Sequence, residues 1–394
     1  MTRHVKLVVC LLATLCSEGA FSQVASPRAT RDVSAAAGGS PVAYVYVSSS
    51  PSSNHYEINA YASASDGRLT PVPGSPFPAS VQYMAANKKY LFGTNGIDIA
   101  SFSISSDGTL KQVASVDAQG FNVGSCGGPW VLFLDRTGAK LYDNDIYSDC
   151  ANNAFQFFGV ARSTGELNYL GVSSAASPEF EGALSFLGNN QYAYGASCYH
   201  WNQEVYGFAR SGDGALTDLN LNPTIPEAKA GEMYCPGLTA TDAATHVAVA
   251  MQPLNTSSLQ PDGSAQLATY TADSSGDLTT ASSYRNMPKV ALTGVADLSM
   301  SPSGKLLAVA GSGGLQVFHF NGSNPITRYT GLLNKDDVEQ VDQMFWDNDN
   351  HLYFISQSAG KLFVFTVTST NYSQAPGSPY VITNPQSIVI VLPE

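Results

Sequence analysis

The chain has 394 residues, 44% of them hydrophobic and only 13% charged, with 35 Gly, 21 Pro, 20 Tyr and 18 Phe. Abundant turn formers beside aromatic and β-branched residues favour short strands over helices, so an all-β chain is expected. The formal net charge is -12 and the 19 Lys and Arg are scattered without a basic run, which argues against nucleic acid or an anionic membrane surface as partner.

In chain order, Arg3, His4 and Lys6 precede the apolar run Leu7 to Leu15 and then a polar segment with small residues. This is the pattern of a signal peptide over residues 1–22, cut after Ser22, followed by an Ala-, Ser- and Gly-rich flexible leader over 23–41. The expected location is therefore secreted or periplasmic. Cys16 raises lipoprotein anchoring as an alternative, although Leu15 is a poor residue immediately before a lipidated cysteine. No later stretch approaches the roughly 20 apolar residues of a transmembrane helix. Loss of the signal peptide removes Cys10 and Cys16 and leaves Cys126, Cys150, Cys198 and Cys235, an even number in an oxidising compartment, for which two disulfides are the expectation.

Residues 42–394 carry an internal repeat. A tight turn of the form Asp-Gly-x-Leu recurs at Asp66 to Leu69, Asp107 to Leu110 and Asp213 to Leu216, with weaker copies ending at Leu167, Leu278 and Ile326. Eight residues before each terminal apolar position stands an aromatic, at Tyr61, Phe102, Phe208, Tyr270 and Phe318, with Phe158 one position out of register. A half-buried strand feeding a tight turn produces this spacing, and Gly after Asp supplies the positive φ of the turn. Upstream of each such strand lies a second hairpin with a polar turn, as in Leu298 to Ala310, where Ser301-Pro302-Ser303-Gly304-Lys305 separates two apolar strands. Each unit is thus four strands, a to d, the plan of one propeller blade. Six such turns and a further c strand at residues 362–367 make seven units. The first unit begins with a b strand at Ala43 to Val47, and an orphan strand at Pro385 to Val391 ends the chain. The C-terminal strand is therefore expected to complete the first blade and close the ring, which removes an open sheet edge.

The Ser301 to Lys305 turn, the Tyr-Val-Tyr-Val of Tyr44 to Val47 and the repeated Asp-Gly-x-Leu resemble the lactonase-like seven-bladed propellers, the family named for bacterial 6-phosphogluconolactonase. The resemblance spans nearly the whole chain after the leader and implies a propeller of four-stranded antiparallel blades. It also implies lactone hydrolysis, with His residues opening the third inner strand and an Arg-His pair opening the fourth. Here those strands are preceded by Cys126-Gly127-Gly128-Pro129-Trp130 and Ser177-Pro178-Glu179-Phe180-Glu181-Gly182, which contain neither His nor Arg. Cationic ligands for a phosphorylated substrate are missing from those segments.

Long b–c and d–a segments in blades three to five, among them residues 144–153, 197–203, 220–231 and 252–265, mark one face of the ring as the candidate binding face. Cys126 with Cys150 and Cys198 with Cys235 are the pairings that would staple this face, one of three possible connectivities. Glu181, Glu232 and His200 are the candidate acid–base groups. Trp130, Glu179, Tyr199, Trp201 and Tyr234 are the candidate ligand contacts. Asp143, Asp145 and Asp149 offer oxygen ligands without the glycine and terminal glutamate of a calcium loop, so no metal and no cofactor is expected. Asp342, Asp347 and Asp349 read as turn residues. These features describe a monomeric, exported binding or surface-interaction module for a small molecule, glycan or peptide. The alternative is a lactone hydrolase using Glu181 or Glu232 as base.

Overall fold

The structure, a computed structural model, describes residues 39–53, 55–118, 131–144, 154–174, 183–198, 204–221, 223–334 and 338–393. Seven antiparallel sheets follow one another along the chain, each with four strands, in simple sequential order in all but the first, and two of them with one further short strand at the outer edge. The seventh blade's successor in the ring is the first, whose inner strand is Pro385–Val391. This strand pairs antiparallel with Ala43–Ser52, setting Val47 opposite Ile388 and Tyr44 opposite Val391. Closure by the C-terminus is thus as expected.

Each d strand begins at or includes the apolar position that ends its turn: Leu69, Leu110, Leu167, Leu216, Leu278 and Ile326. Phe158 is out of register because the turn that follows it spans Ala161 to Glu166, one residue longer than the Ser105 to Thr109 turn of blade two. In that blade-two turn the Asp107 carboxylate accepts from Thr109 N at 3.1 Å and Gly108 adopts φ +82°. A Cβ at Gly108 would collide with the edge of the Tyr44 ring, so glycine is required both by conformation and by space.

The buried residues form seven clusters, one at each interface between neighbouring blades. Alternation along one strand feeds two of them. Tyr44 and Tyr46 pack toward blade two, whereas Val45 and Val47 pack toward blade seven. This follows from the two-residue period of a pleated strand buried on both faces.

Tyrosines in the b strands tie these layers together. The hydroxyls of Tyr46, Tyr142 and Tyr194 donate to the carbonyls of Gly108, Gly214 and Gly276, at 2.9, 2.7 and 2.8 Å, in the c–d turn of the next blade. Burial raises the pKa of all three, pushing Tyr142 up to about 12. At the closing interface the Tyr353 hydroxyl shares 2.7 Å hydrogen bonds with Ser63 Oγ and with Asp347, whose other contacts hold His351. Asp347 is the turn residue expected from sequence, accepting from Asp349 N and His351 N, and it also anchors this buried network.

Candidate functional site

An inner strand ends each sheet, so one backbone edge of every blade is turned to the ring axis. Among the described residues these edges enclose an axial channel of about 550 Å³. Its walls are largely apolar, with Tyr83, Asp297, Ser299, Gln343 and Ser387 supplying polar side chains. No Lys, Arg or His lines it among the described residues.

Asp297 is the channel's one described carboxylate. It sits on the inner strand of blade six, Gly294–Met300, immediately after a bulge between Val295 and Asp297 that interrupts pairing with the b strand. A bulge re-aims the side chain that follows it. One Asp297 oxygen accepts from Leu298 N at 2.7 Å, and the other crosses to the inner strand of blade seven and accepts from Met344 N at 2.8 Å. The next interface repeats the device, since Gln343 Oε1 accepts from Ile388 N at 2.8 Å. Edge N–H groups that have no strand neighbour are satisfied in this way by side chains from the adjoining blade.

Burial among the apolar inner strands pushes the Asp297 carboxyl up to about 6, against the pull of its two backbone N–H donors. A carboxyl poised near this value exchanges its proton close to neutral pH, which suits general acid–base work or hydrogen bonding to a neutral hydroxyl. Sequence reasoning misses Asp297. The available signal is a lone acidic residue inside an otherwise apolar inner strand, Val295-Ala296-Asp297-Leu298.

The other sequence candidates divide into two groups. Trp130, Glu179, Glu181, Tyr199, His200, Trp201, Cys126 and Cys150, together with Asp145 and Asp149, lie outside the described residues. Glu232 opens the inner strand of blade five, where its carboxylate pairs with Lys229 Nζ at 3.3 Å. Tyr234 is fully buried in the cluster between blades four and five, and its hydroxyl donates to Gln266 Oε1 at 2.5 Å. Burial and then the Glu232 charge push its phenol up to about 12. Cys198 and Cys235 form a disulfide with Cα atoms 5.2 Å apart, which fixes the end of the b strand of blade four to the inner strand of blade five.

These features define the class: a closed seven-bladed β-propeller whose inner strands surround an apolar channel bearing a single described acid. No family model and no curated protein sequence matches the chain. Among solved structures, the periplasmic gluconolactonase of Pseudomonas aeruginosa is similar at 14% identity, over 89% of this chain and 99% of that one, with a TM-score of 0.63. A candidate 6-phosphogluconolactonase of Bacteroides uniformis, 12% identical, and a protein of Lactobacillus plantarum, 13% identical, each share the same coverage, with TM-scores of 0.58. At these identities the likeness is one of fold: the chain has the architecture of the lactonase-like propellers. No described helix is long and apolar enough to cross a membrane.

Proposed function

We propose that this chain is an exported propeller that binds a small uncharged ring compound, such as a sugar or its lactone, in the axial channel. Residues 1–22 act as the signal peptide, 23–41 as a leader and 42–394 as a monomeric binding domain. The observation that carries this reading is the channel itself. Its volume lies in the range of small-molecule sites, its walls are largely apolar, and among the described residues its few polar groups include no cation. Among the described lining residues Asp297 is the one charged group, and it would repel a phosphorylated or otherwise anionic ligand.

A second reading is favoured by the raised pKa of Asp297. As general base it would take a proton from water while the water oxygen bonds to a lactone carbonyl carbon, and the departing ring oxygen would receive a proton in turn. The periplasmic gluconolactonase fold neighbour is compatible with this chemistry. In that case Asp297 takes the part assigned from sequence to Glu181 or Glu232.

Calorimetric titration of the purified protein with neutral sugars and with sugar and acyl lactones, run beside a hydrolysis assay, separates the readings. Asp297→Asn and a Glu181→Gln, Glu232→Gln double variant serve as comparisons. Saturable binding without turnover supports the binding module. Turnover abolished in Asp297→Asn with binding retained supports the hydrolase. If no uncharged ring compound binds at millimolar concentration, the channel reading is wrong.

A further inference from the structure

The opposite face of the ring, formed by the short a–b and c–d turns, gathers positive charge that is dispersed in the sequence. Lys88 and Lys89 in the a–b turn of blade two, Arg136 in that of blade three and Arg162 in the c–d turn of blade three line one groove of about 490 Å³. In a chain of net charge -12, four of 19 cations thus meet around one cavity. Lys88, Arg136 and Arg162 form no salt bridge among the described residues.

The one carboxylate among the groove's described lining residues does not neutralise them. Asp135 is buried, and its oxygens are engaged by Thr137 Oγ1 at 2.9 Å, Ala139 N at 3.0 Å, Asn190 Nδ2 at 3.1 Å and Arg210 at 2.6 Å. The site is also rigidly built. Asn87 Nδ2 donates to the Gly138 carbonyl at 2.9 Å, pinning one turn on the other, and Arg136 donates to the Phe186 carbonyl at 3.3 Å. Tyr90, Leu134 and Val160 give the groove an apolar floor. Leu134 and Arg136 continue into a recess of about 250 Å³ that shares Leu298 and Ser299 with the channel wall, so the groove opens toward the channel's turn-side mouth.

We propose that this groove is a second binding site, for a small organic polyanion carrying carboxylate or phosphoryl groups on a short carbon skeleton. Lysine and arginine supply charge-assisted bonds to its oxygens, Arg in forked geometry. The apolar floor takes the skeleton, and the cavity's size suits a molecule rather than a polymer. This site stands apart from the uncharged ligand assigned to the channel, and its test does not depend on that assignment.

The test is calorimetric titration of the purified full chain at low salt, with citrate as the carboxylate probe and glycerol 3-phosphate as the phosphoryl probe. Three variants are compared: Lys88→Glu with Arg162→Glu, the milder Arg162→Gln, and Lys305→Glu, an exposed lysine in the a–b turn of blade six on the same face. Circular dichroism checks that each is folded. The expected result is saturable binding of at least one probe, weakening as salt screens the charges. That binding falls about tenfold or more in the double variant, falls partly in Arg162→Gln, and is unchanged in Lys305→Glu. The probe that binds identifies the ligand's anionic group. Absence of saturable binding by both probes, or an equal loss in Lys305→Glu, overturns the proposal.

Discussion

Ring closure rests on a strand of seven residues, and Ile388 tests it most directly. Ile388 is fully buried and belongs to the cluster between blades seven and one, whereas its neighbour Val389, 2% exposed, belongs to the cluster between blades one and two. Truncating Ile388 to Ala therefore opens a cavity at one interface only, with an expected loss of about 2–5 kcal/mol. Val389→Ala removes two methyl-sized groups from the other interface, about 2 kcal/mol. The two side chains point to opposite faces of the strand, so the double variant should lose close to the sum, a large part of the roughly 5–15 kcal/mol typical of a folded domain. Cutting the chain after Asn384 deletes both contacts with the rest of the seven-residue strand, but also deletes the entropy cost of ordering that strand, which offsets part of the loss. The point variants are thus the quantitative measurement, and the truncation is expected to melt earlier. Urea unfolding followed by fluorescence gives the values, with Gln386→Ala as control, since its amide bonds only the Asn384 carbonyl at the surface. An Ile388→Ala protein within about 0.5 kcal/mol of the parent, the range of a surface change, would refute the closure argument.

Three further outcomes follow from the geometry. The folded-state value of about 6 for Asp297 lies above the usual carboxylate value of about 4, so the folded protein holds this proton more tightly than the unfolded chain. Its stabilising contribution is present below about pH 4 and is lost as pH rises through about 6; the stability of the parent minus that of Asp297→Asn should fall across this window, and a rise would contradict the burial account. Replacing Cys198 and Cys235 by Ala should cost about 4 kcal/mol on the loop-entropy argument for a separation of 37 residues, measured by urea midpoints under non-reducing conditions. Tyr142→Phe leaves the Gly214 carbonyl without its buried donor and should cost about 1–3 kcal/mol; a neutral result would mean that water replaces the hydroxyl.

Much of the architecture is legible in the sequence because it is written in local signals. Asp-Gly turns, alternating c strands and the unpaired C-terminal segment each carry their meaning within about ten residues, and an antiparallel blade joins such neighbours directly. The even cysteine count likewise points to disulfides, and Cys198 with Cys235 is one of the pairings it allows. A tyrosine near the start of an inner strand, such as Tyr234, reads equally well as a channel wall or as packing. Which it is depends on the direction its side chain takes, and here that is toward Gln266 in the interior.

What tertiary structure alone decides is which distant residues meet. The inner strands range from two residues, Ser185–Phe186 in blade four, to ten, Glu232–Thr241 in blade five, and carry no repeat signature that would single out Asp297 or Gln343. Their side chains become a site only when seven blades close and bring Tyr83, Asp297 and Ser387 to one axis. The same holds for charge. Lys88, Arg136 and Arg162 look scattered in the sequence because a blade repeat separates Lys88 from Arg136, and a hairpin of blade three separates Arg136 from Arg162. Ring geometry sets those turns side by side, and electrostatics depends on distance in space rather than along the chain.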